Sequence, residues 1–184
     1  MSKHVKTIII PGWRNSGPGH WQTIWSETLP NTVRVVQDDW ISPVKDQWVK
    51  SISDLILEQE EPVVVVAHSL GCIATMHLPR LTQDRIVAAL LVAPANPQRR
   101  SVFVDFTPVP SNKLTYPSIV VSSDSDPYCD ARSAGAFARS WGSDYVRLKD
   151  AGHINIESGH GDWPFGLTLL QSLISRVNAS VKVA

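Results

Sequence analysis

The 184 residues, 43% of them hydrophobic, carry enough apolar side chain to bury one core without disulfides or a structural metal, so a single domain over 1–184 is expected. Lysine plus arginine and aspartate plus glutamate both number 17, with no basic run or stripe, which argues against nucleic acid or an anionic membrane surface and leaves a small molecule as partner. Cys72 and Cys129 form no Cys-x-x-Cys, the amino terminus has no signal-like apolar run, and no segment approaches transmembrane length, so a soluble cytoplasmic protein is expected.

In chain order, strand and helix signals alternate. His4 to Ile10 is a β-branched run that stops at Pro11-Gly12, and reads as a first strand. Trp13 to Gly19 is rich in Gly, Asn, Ser and Pro and reads as a loop. From His20 to Leu29 a helix places Trp21, Ile24, Trp25 and Leu29 on one face. Thr32 to Val36 gives a second strand, and Trp48, Ile52, Leu55 and Ile56 mark a second helix that ends before Glu60-Glu61-Pro62. Four consecutive valines, Val63 to Val66, predict a third strand buried on both faces, and Cys72 to Leu78 continues without a breaker as a helix. Ile86 to Val92 and Ser118 to Val121 read as interior strands; Asp130 to Trp141 as a helix; Asp144 to Leu148 as a sixth strand; and Phe165 to Val177 as a closing amphipathic helix.

Uniformly apolar strands separated by helices predict a parallel sheet of about six strands covered on both faces, a three-layer α/β domain. In such sheets ligands bind beyond the carboxyl ends of the strands, so chemistry is expected in the loops after strands one, three, five and six. Pro11 to Gly17 lacks Gly-x-Gly-x-x-Gly and the chain has no P-loop Gly-Lys-Ser/Thr, which disfavours a nucleotide site.

The third strand ends in Ala67-His68-Ser69-Leu70-Gly71 and passes to a helix with almost no loop, the context of a nucleophile elbow. A serine on so tight a turn needs small neighbours two residues before and after it; Ala67 departs from Gly-x-Ser-x-Gly by one methyl. A hydroxyl becomes a nucleophile only when a base takes its proton and an acid holds that base in one tautomer. The order Ser, acid, His is met by Asp124 or Asp126 after strand five and by His153 or His160 after strand six, of which His153, beside Gly152, is favoured. Asp126 is favoured over Asp124, because Pro127 restricts its backbone to an extended conformation. The oxyanion donors expected of such an elbow are the backbone N–H groups of Leu70 and Trp13.

The remaining candidates read as structural. His68 should pack or hydrogen-bond behind the sheet, since the elbow points adjacent side chains apart. His4, His20 and His77 have no acid at a supportive spacing, though His20 lies near the active face. His153, His160 and Asp162 match no zinc spacing, so no metal is expected, and Cys72 reads as a small buried hydrophobe.

The chain resembles the small serine hydrolases of the retinoblastoma-binding protein 9 and YdeN type, a compact branch of the α/β-hydrolase fold. The resemblance covers nearly the whole chain and is carried by Ile10-Pro11-Gly12 with His20-Trp21-x-x-Trp25, by Ala67 to Gly71, by Ser123 to Tyr128, and by Gly152 to Asn155 leading to Gly159 to Pro164. It implies a domain without a large lid, with Ser69, Asp126 and His153 as triad, hydrolysing small carboxylic esters or related acyl compounds without a cofactor. A Leu-x-Cys-x-Glu binding motif is not carried over, since Leu70 to Ala74 lacks the glutamate. Gln98 to Tyr116, with Phe103, Phe106 and several prolines, sits where larger relatives carry a lid, and could shape an acyl pocket or present a docking surface. Two functions therefore stand: a carboxylesterase-like serine hydrolase acting on a small acyl substrate, and a hydrolase-shaped protein-interaction module.

Overall fold

The structure, a computed structural model, describes residues 5–181. Its six strands are β1 (Lys6–Ile10), β2 (Thr32–Arg34), β3 (Val63–His68), β4 (Ile86–Val92), β5 (Ser118–Ser123) and β6 (Asp144–Leu148). They form one sheet in the order β2-β1-β3-β4-β5-β6, every neighbouring pair parallel. His4, where the sequence places the start of the first strand, lies outside the described residues.

Parallel strands need crossovers that cover both faces, and the period of two along each strand then sends apolar residues both ways. Ile8 and Ile10 of β1 face a core formed with α2 (Lys45–Leu57), α3 (Leu70–Met76) and α5 (Ala131–Trp141), through Trp48, Ile52, Ile56, Ile73 and Trp141. Between them Ile9 faces the opposite core, built with α1 (Trp21–Thr28) and α6 (Pro164–Val181) through Trp21, Trp25, Leu170 and Leu173. Leu173 is fully buried there, so truncating it to alanine would cost about 2–5 kcal/mol. Among the described residues, no helix is long and apolar enough to cross a membrane.

Several boundaries differ from expectation for local reasons. The third helix begins at Leu70 and ends at Met76, because the serine itself makes the whole turn. A four-residue helix, α4 (Arg80–Gln83), follows Pro79, and 3₁₀ turns occupy Pro97–Arg99 and Ser101–Phe106; elements so short have no period to read. The second 3₁₀ turn buries Phe103 and Phe106 completely, Phe103 edge-on to Trp13 at 5.4 Å and Phe106 edge-on to Trp48 at 6.0 Å. These two rings are core, and not the docking surface that the 98–116 segment could have presented. All the loops that follow a strand lie at one edge of the sheet, where β1, β3, β5 and β6 end together.

Candidate active site

Ser69 is the only residue between β3 and α3, with φ 56° and ψ −123°, a conformation that costs a non-glycine residue about 1–3 kcal/mol. Backbone bonds hold it: its N–H donates to the Val92 carbonyl at 2.9 Å, and its own carbonyl accepts from Cys72 at 3.1 Å and Ala95 at 3.3 Å. Close approach explains the small neighbours. A Cβ on Gly71 would lie 2.6 Å from the carbonyl oxygens of both Ile10 and Pro11. A Cβ on Gly12 would lie 2.7 Å from the Ser69 Cβ, a second requirement that the sequence showed only as turn punctuation. Ala67 sits within the sheet, paired with Ile10 and Leu91, and its methyl is fully buried.

His153 stands over the serine. Its Nε2 is 2.9 Å from Ser69 Oγ, and its Nδ1 is 2.9 and 3.0 Å from the two carboxylate oxygens of Asp126. A carboxylate only accepts, so Nδ1 donates to Asp126 and Nε2 is left to accept from the hydroxyl. The Asp126 side chain is 1% exposed and also accepts the Tyr128 N–H at 2.8 Å, which fixes where the carboxylate points. The structure thus brings Ser69, His153 and Asp126 into one hydrogen-bonded chain and sends Asp124 elsewhere. Asp124 is exposed; its Oδ1 accepts the Asp150 N–H at 2.8 Å and its Oδ2 lies 3.4 Å from Arg147.

The histidine's loop is tied from several sides. Ser123 Oγ accepts the Ala151 N–H at 2.9 Å, Ser125 Oγ accepts the Gly152 N–H at 3.0 Å, and Trp21 Nε1 donates to the Ile154 carbonyl at 2.9 Å. His68 adds a further tie, its Nε2 donating to the His153 carbonyl at 2.9 Å. Burial, with His153 and His20 nearby, pushes the His68 pKa well below its ordinary value, so the ring is neutral. Sequence reasoning placed His68 behind the sheet. Instead its ring lines the cavity in front of Ser69, 4.8 Å from the His153 ring.

That cavity is about 410 Å³, walled by Trp13, Arg14, Asn15, Gly17, His20, His68, Ser69, Tyr128, His153, Asn155, Ile156 and Glu157. Sequence reasoning missed most of the polar wall, whose residues come from loop conformations with no pattern. Arg14 and Asn15 are both left-handed, φ 65° and 64°, in a loop braced by Arg34, which donates to Asn15 Oδ1, Ser16 O and Thr23 Oγ1. The N–H groups of Leu70 and Trp13 sit at this corner. Leu70 is the first residue of α3, where a helix leaves N–H groups without internal partners, and Trp13 N–H has no partner among the described residues. His160 bonds Ser158 Oγ at 3.2 Å and does not reach Ser69, and Cys72 is sealed beneath the elbow with burial raising its thiol pKa. Among the described residues, no group of three or more His, Cys, Asp or Glu is placed to hold a metal ion.

A hydroxyl bonded to a neutral imidazole nitrogen, with a buried carboxylate behind it, can pass a proton as the oxygen attacks an electrophile. The sequence profile of the serine hydrolase family matches residues 7–172. Among solved structures, the chain is similar to a YdeN-like hydrolase from Pectobacterium atrosepticum at 31% identity, over 95% of this chain and 93% of that one, with a TM-score of 0.88. The ydeN gene product of B. subtilis matches at 20% identity over 94% of this chain and 100% of that one, TM-score 0.75. Est1E from Butyrivibrio proteoclasticus, with ferulic acid bound, matches at 15% identity over 95% and 91%, TM-score 0.72. The last two likenesses show the α/β-hydrolase fold alone. Among curated proteins the chain has no match.

Proposed function

The chain belongs to the serine hydrolase family, and on that premise we propose that it cleaves small carboxylic esters or related acyl compounds, with Ser69 as nucleophile, His153 as base and Asp126 as orienting acid. The observation that carries this reading is the chain of 2.9 Å contacts from Ser69 Oγ through the imidazole to the Asp126 carboxylate.

The steps follow from that order. Ser69 Oγ attacks the substrate carbonyl carbon while its proton passes to His153 Nε2, and Asp126 stabilises the imidazolium across Nδ1. The carbonyl oxygen becomes an oxyanion, for which the N–H groups of Leu70 and Trp13 are the donors; one such donor contributes about 3 kcal/mol. The carbon–oxygen bond to the alcohol breaks as His153 returns the proton to the departing oxygen, leaving an acyl group on Ser69. Water, deprotonated by the same imidazole, then attacks the acyl carbon, and Ser69 leaves with the proton restored. A cavity of about 410 Å³ suits a small substrate.

An active-site-directed fluorophosphonate is the test. It should modify Ser69 in the wild type and leave Ser69→Ala unlabelled. Labelling at another residue, or none, overturns the assignment.

A further inference from the structure

The mechanism above leaves several polar side chains of the cavity unused, and His20 is the buried one among them whose ring keeps an unengaged donor. His20 caps the first turn of α1, its Nδ1 accepting the Gln22 N–H at 3.1 Å. With Nδ1 engaged as an acceptor, the proton of the neutral ring sits on Nε2, which has no partner among the described residues. His20 is 4% exposed and walls the same cavity as Ser69 and His153. Nor is Nε2 walled off: among the described residues, the fully enclosed side-chain polar atoms without partners are Tyr116 Oη and Asn178 Oδ1. Burial first, and the Arg34, His153 and His160 charges next, push the pKa of His20 down to about 3, so the ring is a neutral donor at any pH where the protein works.

Position decides what it donates to. His153 must reach the departing oxygen to protonate it, so the leaving group lies on the His153 side of Ser69, away from the Leu70 and Trp13 N–H groups. His20 and His153 both pack on the His68 ring, at 5.1 and 4.8 Å, and all three line the cavity in front of Ser69. Asn155 adds a second donor to this wall, for its Oδ1 is taken by Ser158 while its Nδ2 is not engaged among the described residues. We propose that His20 is a substrate-binding residue whose Nε2–H holds an oxygen of the leaving alcohol, and that the site therefore selects esters of small polar alcohols carrying a hydroxyl or carbonyl oxygen near the ester link. This rests on the serine-hydrolase reading above.

The test compares 2-hydroxyethyl butanoate with propyl butanoate, which differ by one oxygen in place of a methyl, after correcting each rate for alkaline hydrolysis. The wild type should favour the hydroxyl ester about tenfold in kcat/KM, the worth of one directed hydrogen bond. His20→Asn keeps an oxygen near the place of Nδ1 to cap α1 but has no atom at Nε2, and should cut the ratio of the two kcat/KM values about tenfold. His20→Gln restores an N–H near Nε2 and should recover most of it. A ratio that is the same in wild type and His20→Asn, or a wild type without preference, means that Nε2–H serves only bulk water and overturns the inference. Fluorophosphonate labelling of Ser69 separates the failures: a labelled serine with an unchanged ratio sinks the role of His20 alone, and an unlabelled wild type sinks the hydrolase reading beneath it.

Discussion

The turn carrying Ser69 is held by backbone bonds and by the absence of side chains, whereas the turn carrying His153 is held by side chains lent from other segments. At the elbow, Gly71 and Gly12 leave no room for a Cβ, and the serine's N–H and carbonyl bond only to backbone. At the histidine, Asp150, Gly152 and Ile154 adopt left-handed φ values of 48°, 55° and 50°, and Asp124, Ser123, Ser125, Trp21 and His68 each supply one bond to the loop. A steric device has no slack: a neighbour that is backbone cannot step aside. A set of hydrogen bonds from separate residues is redundant, and losing one leaves the others. The two halves of the site should therefore fail differently.

The largest effects bear on the point where the halves meet. Ser69→Ala and His153→Ala should each lower kcat/KM by about ten-thousand-fold or more, and Asp126→Asn by about ten-thousand-fold because it leaves the imidazole in the wrong tautomer. Ester hydrolysis measured alongside thermal melting checks this. A loss below about tenfold in any of the three would break the hydrogen-bonded chain as an account of the chemistry.

Next in size is Gly71→Ala. Its new methyl would meet the Ile10 and Pro11 carbonyl oxygens at 2.6 Å, and overpacking against backbone costs about 3 kcal/mol. Gly152→Ala is the matched change in the other half. There the methyl meets the Ser158 Cβ at 2.5 Å, which is relieved only if the short turn Ile156–Ser158 shifts, and the left-handed backbone adds about 1 kcal/mol. Denaturant melts of the two variants should rank them in that order; the reverse ranking would dissolve the contrast between a rigid elbow and an adaptable loop.

The same contrast governs what was legible in the sequence. The elbow was readable because sterics act within a few residues: four valines, a serine and Gly71 lie in one stretch, and β3 runs into it as expected. That Asp126 and His153 come together at Ser69 was readable from their order and their place after β5 and β6. Their surroundings were not, since each tie comes from far along the chain, as Trp21 does to Ile154 across 133 residues. His68 shows the limit most sharply. An elbow that points adjacent side chains apart was expected to leave it behind the sheet, but its ring lines the same cavity as Ser69 and bonds the His153 carbonyl, a partner 85 residues away. For Phe103 and Phe106 the sequence left an acyl pocket and a docking surface both open, and packing against Trp13 and Trp48, far off along the chain, draws both rings into the core.

Acid separates the halves at smaller amplitude. His20 in the folded state is held down to about 3 from an ordinary value of 6.5, chiefly by burial, and His68 is displaced in the same direction. Both native rings refuse a proton that the unfolded chain accepts below about pH 6.5, so their contribution is complete above that pH and drains away as pH falls towards the folded values. One such group sets a slope of at most about 1.4 kcal/mol per pH unit. His68 belongs to the side-chain-held half through its bond to the His153 carbonyl, and His20 packs on the His68 ring at 5.1 Å. Hydrogen exchange at pH 5 against pH 7.5 should show amides 150–154 losing protection well before amides 69–72, and His20→Asn should flatten the stability slope between pH 6 and 4. Equal loss of protection in the two segments would contradict the division.

The smallest effect concerns Asp124, which separates a residue that ties the loop from one that acts in it. Its carboxyl is held below the usual carboxylate range, first by the Asp150 N–H and then, against slight desolvation, by Arg147. A depressed folded value means that this tie is present above the ordinary carboxylate pH and is lost as pH falls through the folded value. In Asp124→Asn the amide oxygen still accepts the Asp150 N–H at 2.8 Å, while the charge facing Arg147 is gone. Such an exposed pair contributes little in water, so turnover should stay within about threefold of wild type. Asp124→Ala removes the acceptor as well and should lower turnover further, by about fivefold, because the loop keeps its bonds from Ser123, Ser125, Trp21 and His68. Rates measured on one ester for both variants and for Asp126→Asn decide the matter. If Asp124→Asn falls to the level of Asp126→Asn, then the ties around His153 are not redundant, and that loop depends on each bond as rigidly as the elbow depends on Gly71.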